Sequence, residues 1–183
     1  MNHSFRHNGA MPKLTMKQML WLGKPLSWKK DWRSLSLRVD PHTTYPENCP
    51  SIIAAWDEDI RAVARLSLAP SACEGGIIVF QTPQSLCAAG ASPEGFRLHY
   101  QVMGYRHDTF LPCPICQSHI WMGFSRMGAR FAVSYSLDGN QFRQVDQGTL
   151  PGLAKSYSFG WYWSNPEDTP FEASVDTLAV TKL

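Results

Sequence analysis

The sequence predicts an all-β chain folded as a two-sheet antiparallel sandwich, and three observations carry that prediction. In the run from Phe131 to Val145, FAVSYSLDGNQFRQV, the apolar Phe131, Val133, Tyr135 and Leu137 alternate with Ala132, Ser134 and Ser136. This is the period of a strand with one buried face, and Asp138-Gly139-Asn140 follow with residues that tolerate φ > 0 and close a hairpin. The apolar runs elsewhere are short, and no segment of helical length and period stands between them, which argues against a parallel α/β sheet. Most of the Gly, Pro and Asn residues collect in the breaks: Pro41, Pro46-Glu47-Asn48, Ala69-Pro70, Ser92-Pro93-Glu94-Gly95, Leu111-Pro112 and Pro151-Gly152.

Along the chain, residues 1–13 are polar with Gly9 and Pro12 and read as a flexible leader, leaving 14–183 as a single domain. Leu14, Gln18 and Trp21 or Leu22 are helically spaced, so Leu14 to Leu22 is expected to form a short helical turn that Gly23 and Pro25 stop. Strands are expected at Leu35–Val39, Ile60–Leu68, Gly76–Gln81, Phe96–Val102, Ile120–Phe124, Phe131–Leu137, Gln141–Gln147, Ser156–Ser164 and Phe171–Val180. In the last, Phe171, Ala173, Val175 and Thr177 share one face and Glu172, Ser174 and Asp176 the other, as in a sheet with one wet side. The absence of a repeat of roughly 20–50 residues argues against a propeller or solenoid.

Composition bounds the partners. The 183 residues, 44% hydrophobic and 12% aromatic, suffice for one substantial core. Seventeen basic against fifteen acidic residues give a net charge of +2, with no basic run beyond Lys29-Lys30, so nucleic acid is not an expected partner. The longest apolar run near the N-terminus, Met19 to Leu22, is too short for a signal-peptide core or a bilayer span, so a cytoplasmic location without a membrane partner is expected. Cys49, Cys73, Cys87, Cys113 and Cys116 make an odd count, expected as free and mostly buried thiols.

FAVSYSLDGNQF, together with the closing SYSFGWYWSNPEDTPFEASVDTLAV and the opening MLWLGKPLSWKKDWRSLSLRVDPHTTY, resembles a concanavalin A-like jelly-roll family of unknown function that includes the yeast regulation-of-enolase protein. The opening matches by a Trp-Leu pair, a second Trp, a short strand and an Asp-Pro-x-Thr step, and the likeness spans roughly Leu20 to Val180. It implies a jelly roll of the lectin/glucanase type. The chain departs from the family pattern at Thr44-Tyr45-Pro46, where the family places an Asp and two aromatics, and at Ala88 to Ser92, where the family carries a Glu. It departs again at Gly104 to Asp108, where the family has a Gly-aromatic-Ser-Asp-Trp segment. The resemblance therefore implies the scaffold, and a rebuilt site in the poorly matched middle from Ala88 to His119.

The carboxylate pair of a glycan hydrolase, commonly Glu-x-Asp-x-x-Glu on one strand, is missing. The cluster Trp56-Asp57-Glu58-Asp59 reads as a solvated turn before Ile60. Cys113 and Cys116 have the spacing of two zinc thiolates, and His107 and His119 would complete an S2N2 tetrahedron; two unrelated thiols in a loop fit the same string. A glutaredoxin-like dithiol needs a following helix, whereas Ile120–Phe124 reads as a strand. Phe159, Trp161 and Trp163 share a face that is either core or a sugar-stacking platform. If that face is core, Tyr162, Asn165, Glu167 and Asp168 are left as the exposed candidates. Arg97, His99 and Gln101 form the polar face of the Phe96–Val102 strand, either simply solvated or lining a groove. No nucleophile elbow, P-loop or dinucleotide fingerprint occurs.

The function expected is a non-catalytic binding or regulatory module that recognises a carbohydrate or a protein surface on the concave sheet, through Arg97, His99, Gln101, Tyr105 and Tyr162. One alternative is a sugar-active hydrolase or isomerase using His99 or His107 with Asp108 as acid and base. Another is a protein-interaction domain stapled by zinc at Cys113, Cys116, His107 and His119; zinc is the only cofactor any of these readings calls for.

Overall fold

The structure, a computed structural model, describes residues 19–31, 34–45, 48–70, 72–82, 84–150 and 156–183. The expected leader, 1–13, lies outside the described residues, as do most of the expected helical turn and the Pro151-Gly152 break. Fourteen strands are described: β1 (Leu20–Gly23), β2 (Ser27–Lys30), β3 (Leu35–Val39), β4 (Ser51–Trp56), β5 (Ile60–Ser67), β6 (Glu74–Thr82) and β7 (Ser85–Ser92). They continue with β8 (Gly95–Val102), β9 (Tyr105–Pro112), β10 (His119–Met127), β11 (Arg130–Ser136), β12 (Arg143–Thr149), β13 (Tyr157–Ser164) and β14 (Phe171–Lys182). They form two antiparallel sheets of seven, ordered β1-β4-β13-β6-β7-β8-β9 and β12-β11-β10-β5-β14-β3-β2. The two-sheet antiparallel sandwich is thus present.

Strands whose apolar residues alternate form where expected. In β5, Ile60, Ala62, Ala64 and Leu66 are buried while the residues between them are partly solvated, and β3 repeats the pattern with Leu35, Leu37 and Val39. Phe159, Trp161 and Trp163 of β13 face the core and are buried. There Phe159 stacks on Phe124 of β10 at 5.0 Å between ring centroids and meets Trp161 edge-on at 5.2 Å. This aromatic column ties the centres of the two sheets together, burying three large rings in the inter-sheet core.

The expected hairpin is β11–β12, with β12 beginning two residues later than the sequence suggests. Asp138 in the connection accepts hydrogen bonds from the backbone N–H groups of Asn140 and Gln141 at 2.8 and 2.9 Å. Those bonds and one from Ser136 hold its carboxyl down at about 2. Gly139, at φ 76°, makes the left-handed step.

Several expectations fail. Leu20 to Leu22 belong to β1 rather than a helical turn, because Leu20 and Trp21 pair with Ile53 and Ile52 of β4 and Gly23 pairs with Ser51. Four more strands were not expected. β4, SIIAAW, is a short run of apolar residues, and β7, SLCAAGAS, is buried on both faces from Leu86 to Ser92, so neither sequence alternates apolar with polar residues. β9 is an edge strand whose residues are largely exposed, and polar β2 is likewise an edge.

Phe159→Ala should lower the free energy of unfolding by about 3–5 kcal/mol, the range for a buried aromatic cut back to Ala. Urea denaturation followed by Trp fluorescence measures it.

Candidate functional site

The outer face of the first sheet is not simply solvated. Ile78 of β6, Leu86 and Ala88 of β7 and Tyr162 of β13 are buried there beneath Tyr45 and Cys49, from the segment that joins β3 to β4. That segment is pinned by Asn165, whose amide donates to the carbonyls of Val39 at 3.3 Å and Thr169 at 2.9 Å and whose backbone N–H donates to Thr43 at 2.6 Å. The Tyr45 N–H donates to Ser164 Oγ at 3.3 Å. Asn165 and Tyr162, expected as exposed ligands, are both fully buried, because the one closes this junction and the other lies under Tyr45 at 5.0 Å between rings.

Beyond Tyr45 the face becomes polar. β8 and β9 are joined by the two-residue turn Met103-Gly104, both at positive φ (52° and 85°), as a type I′ hairpin requires. The resulting register sets His99 opposite Asp108 and Arg97 opposite Phe110, while on the other side His99 faces Ala88 and Arg97 faces Gly90 of β7. His99 Nδ1 lies 2.9 Å from Asp108 Oδ1, and Nε2 lies 2.8 Å from Glu74 Oε1. Glu74 belongs to β6, a strand away from β8, and its carboxylate reaches His99 over β7. Gly90 leaves that path open: a Cβ there would fall 2.6 Å from Glu74 Oε2 and 2.5 Å from the Tyr162 hydroxyl.

The electrostatics follow from this sandwiching. The His99 and Glu74 side chains retain only 10% and 5% of their exposure. Burial by itself would lower the His99 pKa, but hydrogen bonds and charge from Glu74 and then Asp108 outweigh it, and the net shift is upward. Burial likewise favours the neutral form of Asp108, yet Arg106 and His99 hold its pKa below the usual value. Arg106 Nε donates to Asp108 Oδ2 at 2.8 Å, and its Nη2 reaches the Tyr45 carbonyl at 3.5 Å. The Tyr162 phenol is pushed well up, by burial first and by the Glu74 charge second. Both ring nitrogens of His99 lie within hydrogen-bond distance of a carboxyl group, an arrangement that favours the imidazolium with each N–H donating to one carboxylate.

These groups border an open cleft of about 280 Å³ lined by Thr44, Tyr45, Glu74, Arg97, His99 and Arg106, with Ser164 and Pro166 at its far wall. Arg97 lies over the Phe110 ring at 5.2 Å. Glu74 Oε2, Arg97 Nε and the hydroxyls of Tyr45 and Tyr162 are shut off from solvent without a hydrogen bond of normal geometry among the described residues.

Of the residues expected to bind, Arg97 and His99 line this cleft. Gln101 lies on the same face farther along β8, opposite Arg106. Tyr105 is 84% exposed and pairs with Val102, whose side chain packs on the core, so it does not join them. Tyr162, buried beneath Tyr45, does not line the cleft. His107, the alternative acid–base residue, alternates away from Asp108 on β9 and pairs with Thr109 Oγ1 at 3.0 Å. The four proposed zinc ligands are not brought together. Cys113 Sγ meets the Tyr135 hydroxyl at 3.5 Å, His119 meets Ser118 Oγ at 2.9 Å, and Cys116 is exposed. Among the described residues no three His, Cys, Asp or Glu side chains are placed to hold a metal ion. All five cysteines are free thiols, three of them buried. Glu74, Tyr45 and Arg106 are cleft residues that sequence reasoning missed; Gly75-Gly76 and Gly90 were the available sign that side chains cross this part of the face.

His99→Gln should cost about 3–5 kcal/mol near pH 6, since it strips the counter-charge from a buried carboxylate. A raised imidazole pKa contributes stability that is complete below the unfolded value of about 6.5 and fades as pH rises through the folded value. The gap between wild type and His99→Gln should therefore narrow above about pH 6.5 in urea melts run as a pH series. Facing His99, the groups whose charge enters this comparison are Glu74 from β6, Asp108 and Arg106 from β9, Tyr162 from β13 and Tyr45 from the β3–β4 segment. Gly90→Ala should cost about 1–3 kcal/mol by overpacking, and should weaken the same pH dependence by displacing Glu74, leaving the part that Asp108 supplies.

No family model matches the chain, and comparison with curated protein sequences returns no match. Solved structures do match. A functionally unknown protein from Saccharomyces cerevisiae superposes with a TM-score of 0.80 at 15% identity over 92% of this chain and 98% of that one. A xylan β-1,4-xylosidase from Bacillus halodurans C-125 gives 0.75 at 11% identity over 100% of this chain and 41% of that one. The GH43 protein BlXynB from Bacillus licheniformis gives 0.73 at 11% over 91% and 37%. The chain thus spans about two fifths of the length of these two bacterial proteins, and what it shares with all three is the sandwich fold.

Proposed function

We propose that this protein is a non-catalytic carbohydrate-binding module of the concanavalin A-like jelly-roll kind, with its ligand in the cleft bordered by Tyr45, Arg97, His99 and Arg106. The observation that carries the reading is an open polar cleft in which His99, Glu74, Asp108 and Arg106 are already spent on one another. Both nitrogens of His99 are held by carboxylates, so neither is turned into the cleft to exchange a proton with a substrate. That arrangement supports binding over the acid–base alternative, which needs a group within hydrogen-bond reach of the reacting atom. The fold shared with GH43 proteins and a xylosidase supports a carbohydrate ligand by analogy. The volume, near the small end of the range for ligand sites, suits a single sugar ring.

A sugar panel read by thermal shift and calorimetry tests the proposal. At a concentration about a hundredfold above its Kd, a bound sugar contributes about 2.7 kcal/mol, a rise of several degrees in Tm. Thr44→Trp, which places an indole in the cleft mouth from an exposed position, should abolish the rise. A panel without any shift, together with an empty glycan array, overturns the reading.

A further inference from the structure

The charges around the cleft do not cancel. His99 and Arg106 are cations, Glu74 and Asp108 are anions, and these four are joined directly: His99 to both carboxylates and Arg106 to Asp108. Arg97 is left over. Among the described residues its guanidinium has no carboxylate partner, and its one ring contact is the Phe110 face at 5.2 Å. Its Nε is shut off from solvent without a hydrogen bond. A guanidinium is strongly disposed to bind a planar anion through two parallel N–H donors, and stacking on an aromatic face fixes the plane of that fork before the anion arrives. The cleft therefore presents a partly desolvated positive charge without a counter-ion at one end, beside a group of four charges that are paired with one another.

We propose that the ligand is an acidic sugar, a uronate whose carboxylate pairs with Arg97 while its ring occupies the cleft towards Tyr45. This rests on the carbohydrate reading above and narrows it. Arg106 is not the anion receptor, because Asp108 already occupies its Nε and Tyr45 its Nη2. His99 is not the receptor either, since both of its N–H groups are committed.

Calorimetric titration of the full chain with methyl glucuronoside and methyl galacturonoside tests this, beside the corresponding neutral methyl glycosides, the uronate methyl esters, glucose 6-phosphate and sodium acetate. One uronate should bind about tenfold or more tighter than its neutral counterpart and its methyl ester, the difference expected for one charge-assisted pair. Arg97→Gln should erase that preference, and Arg97→Lys should restore only part of it, because the charge returns without the fork. Equal affinity for the neutral sugar overturns the acidic-sugar inference and leaves the carbohydrate reading standing. Binding of glucose 6-phosphate but of neither uronate overturns the carboxylate assignment, and acetate binding as tightly as the uronate overturns the part played by the ring. If no sugar binds at all, both readings fall together.

Discussion

The protonated ring of His99, held between Glu74 and Asp108, is the interaction on which the polar half of the first sheet depends. Three strands meet in it, since Glu74 lies on β6, His99 on β8 and Asp108 on β9, and the carboxylate from β6 crosses β7 to arrive. A buried ion network of this kind contributes little net stability compared with a well-packed apolar substitute, but breaking it by removing one member is costly. Its value is positional. It fixes Asp108, Asp108 fixes Arg106, and Arg106 reaches the backbone of Tyr45, so one chain of hydrogen bonds ties His99 to two other residues that line the cleft. Tyr45 closes the loop by packing on the His99 ring at 4.7 Å.

That chain of contacts exists because of what the neighbouring strands omit. β7 presents Ala88 and Gly90 on the outer face, so side chains from β6 and β8 lean across it and meet. Gly76 lets β7 approach β6 closely, since a Cβ there would fall 1.9 Å from the Ala89 carbonyl oxygen. The apolar half of the same face is sealed by the β3–β4 segment through Asn165. One sheet therefore carries two environments side by side, a dry one under Tyr45 and a wet one at Arg97, and the cleft lies along their boundary.

The parts of this architecture legible in the sequence are those that follow a period. β5 and β11 alternate cleanly, and the Arg97, His99 and Gln101 face of β8 was visible for the same reason. β7 was illegible because its small residues are buried on both faces and carry no alternation, while β9 looked like polar loop because an edge strand has little apolar surface to hide. The β8–β9 hairpin, which pairs His99 with Asp108, turns on Met103-Gly104 rather than the usual Asn-Gly, so its signal was weak. Tyr162 read as an exposed residue on a wet face because only the folded β3–β4 segment covers it. Glu74 was the furthest from reach: it pairs with a histidine 25 residues away across an intervening strand, a contact that no local pattern encodes.

The polar half of the first sheet depends on His99 being a doubly protonated structural cation at pH 6.5, and nitrogen-detected NMR of the imidazole rings measures this directly. In a pH series the His99 ring should show both Nδ1 and Nε2 protonated at pH 6.5, with exchange-protected N–H protons coupled to each, and should lose a proton only at higher pH. A neutral His99 ring at that pH, with one nitrogen unprotonated, would contradict the clamp and return the residue to the list of candidate catalytic bases.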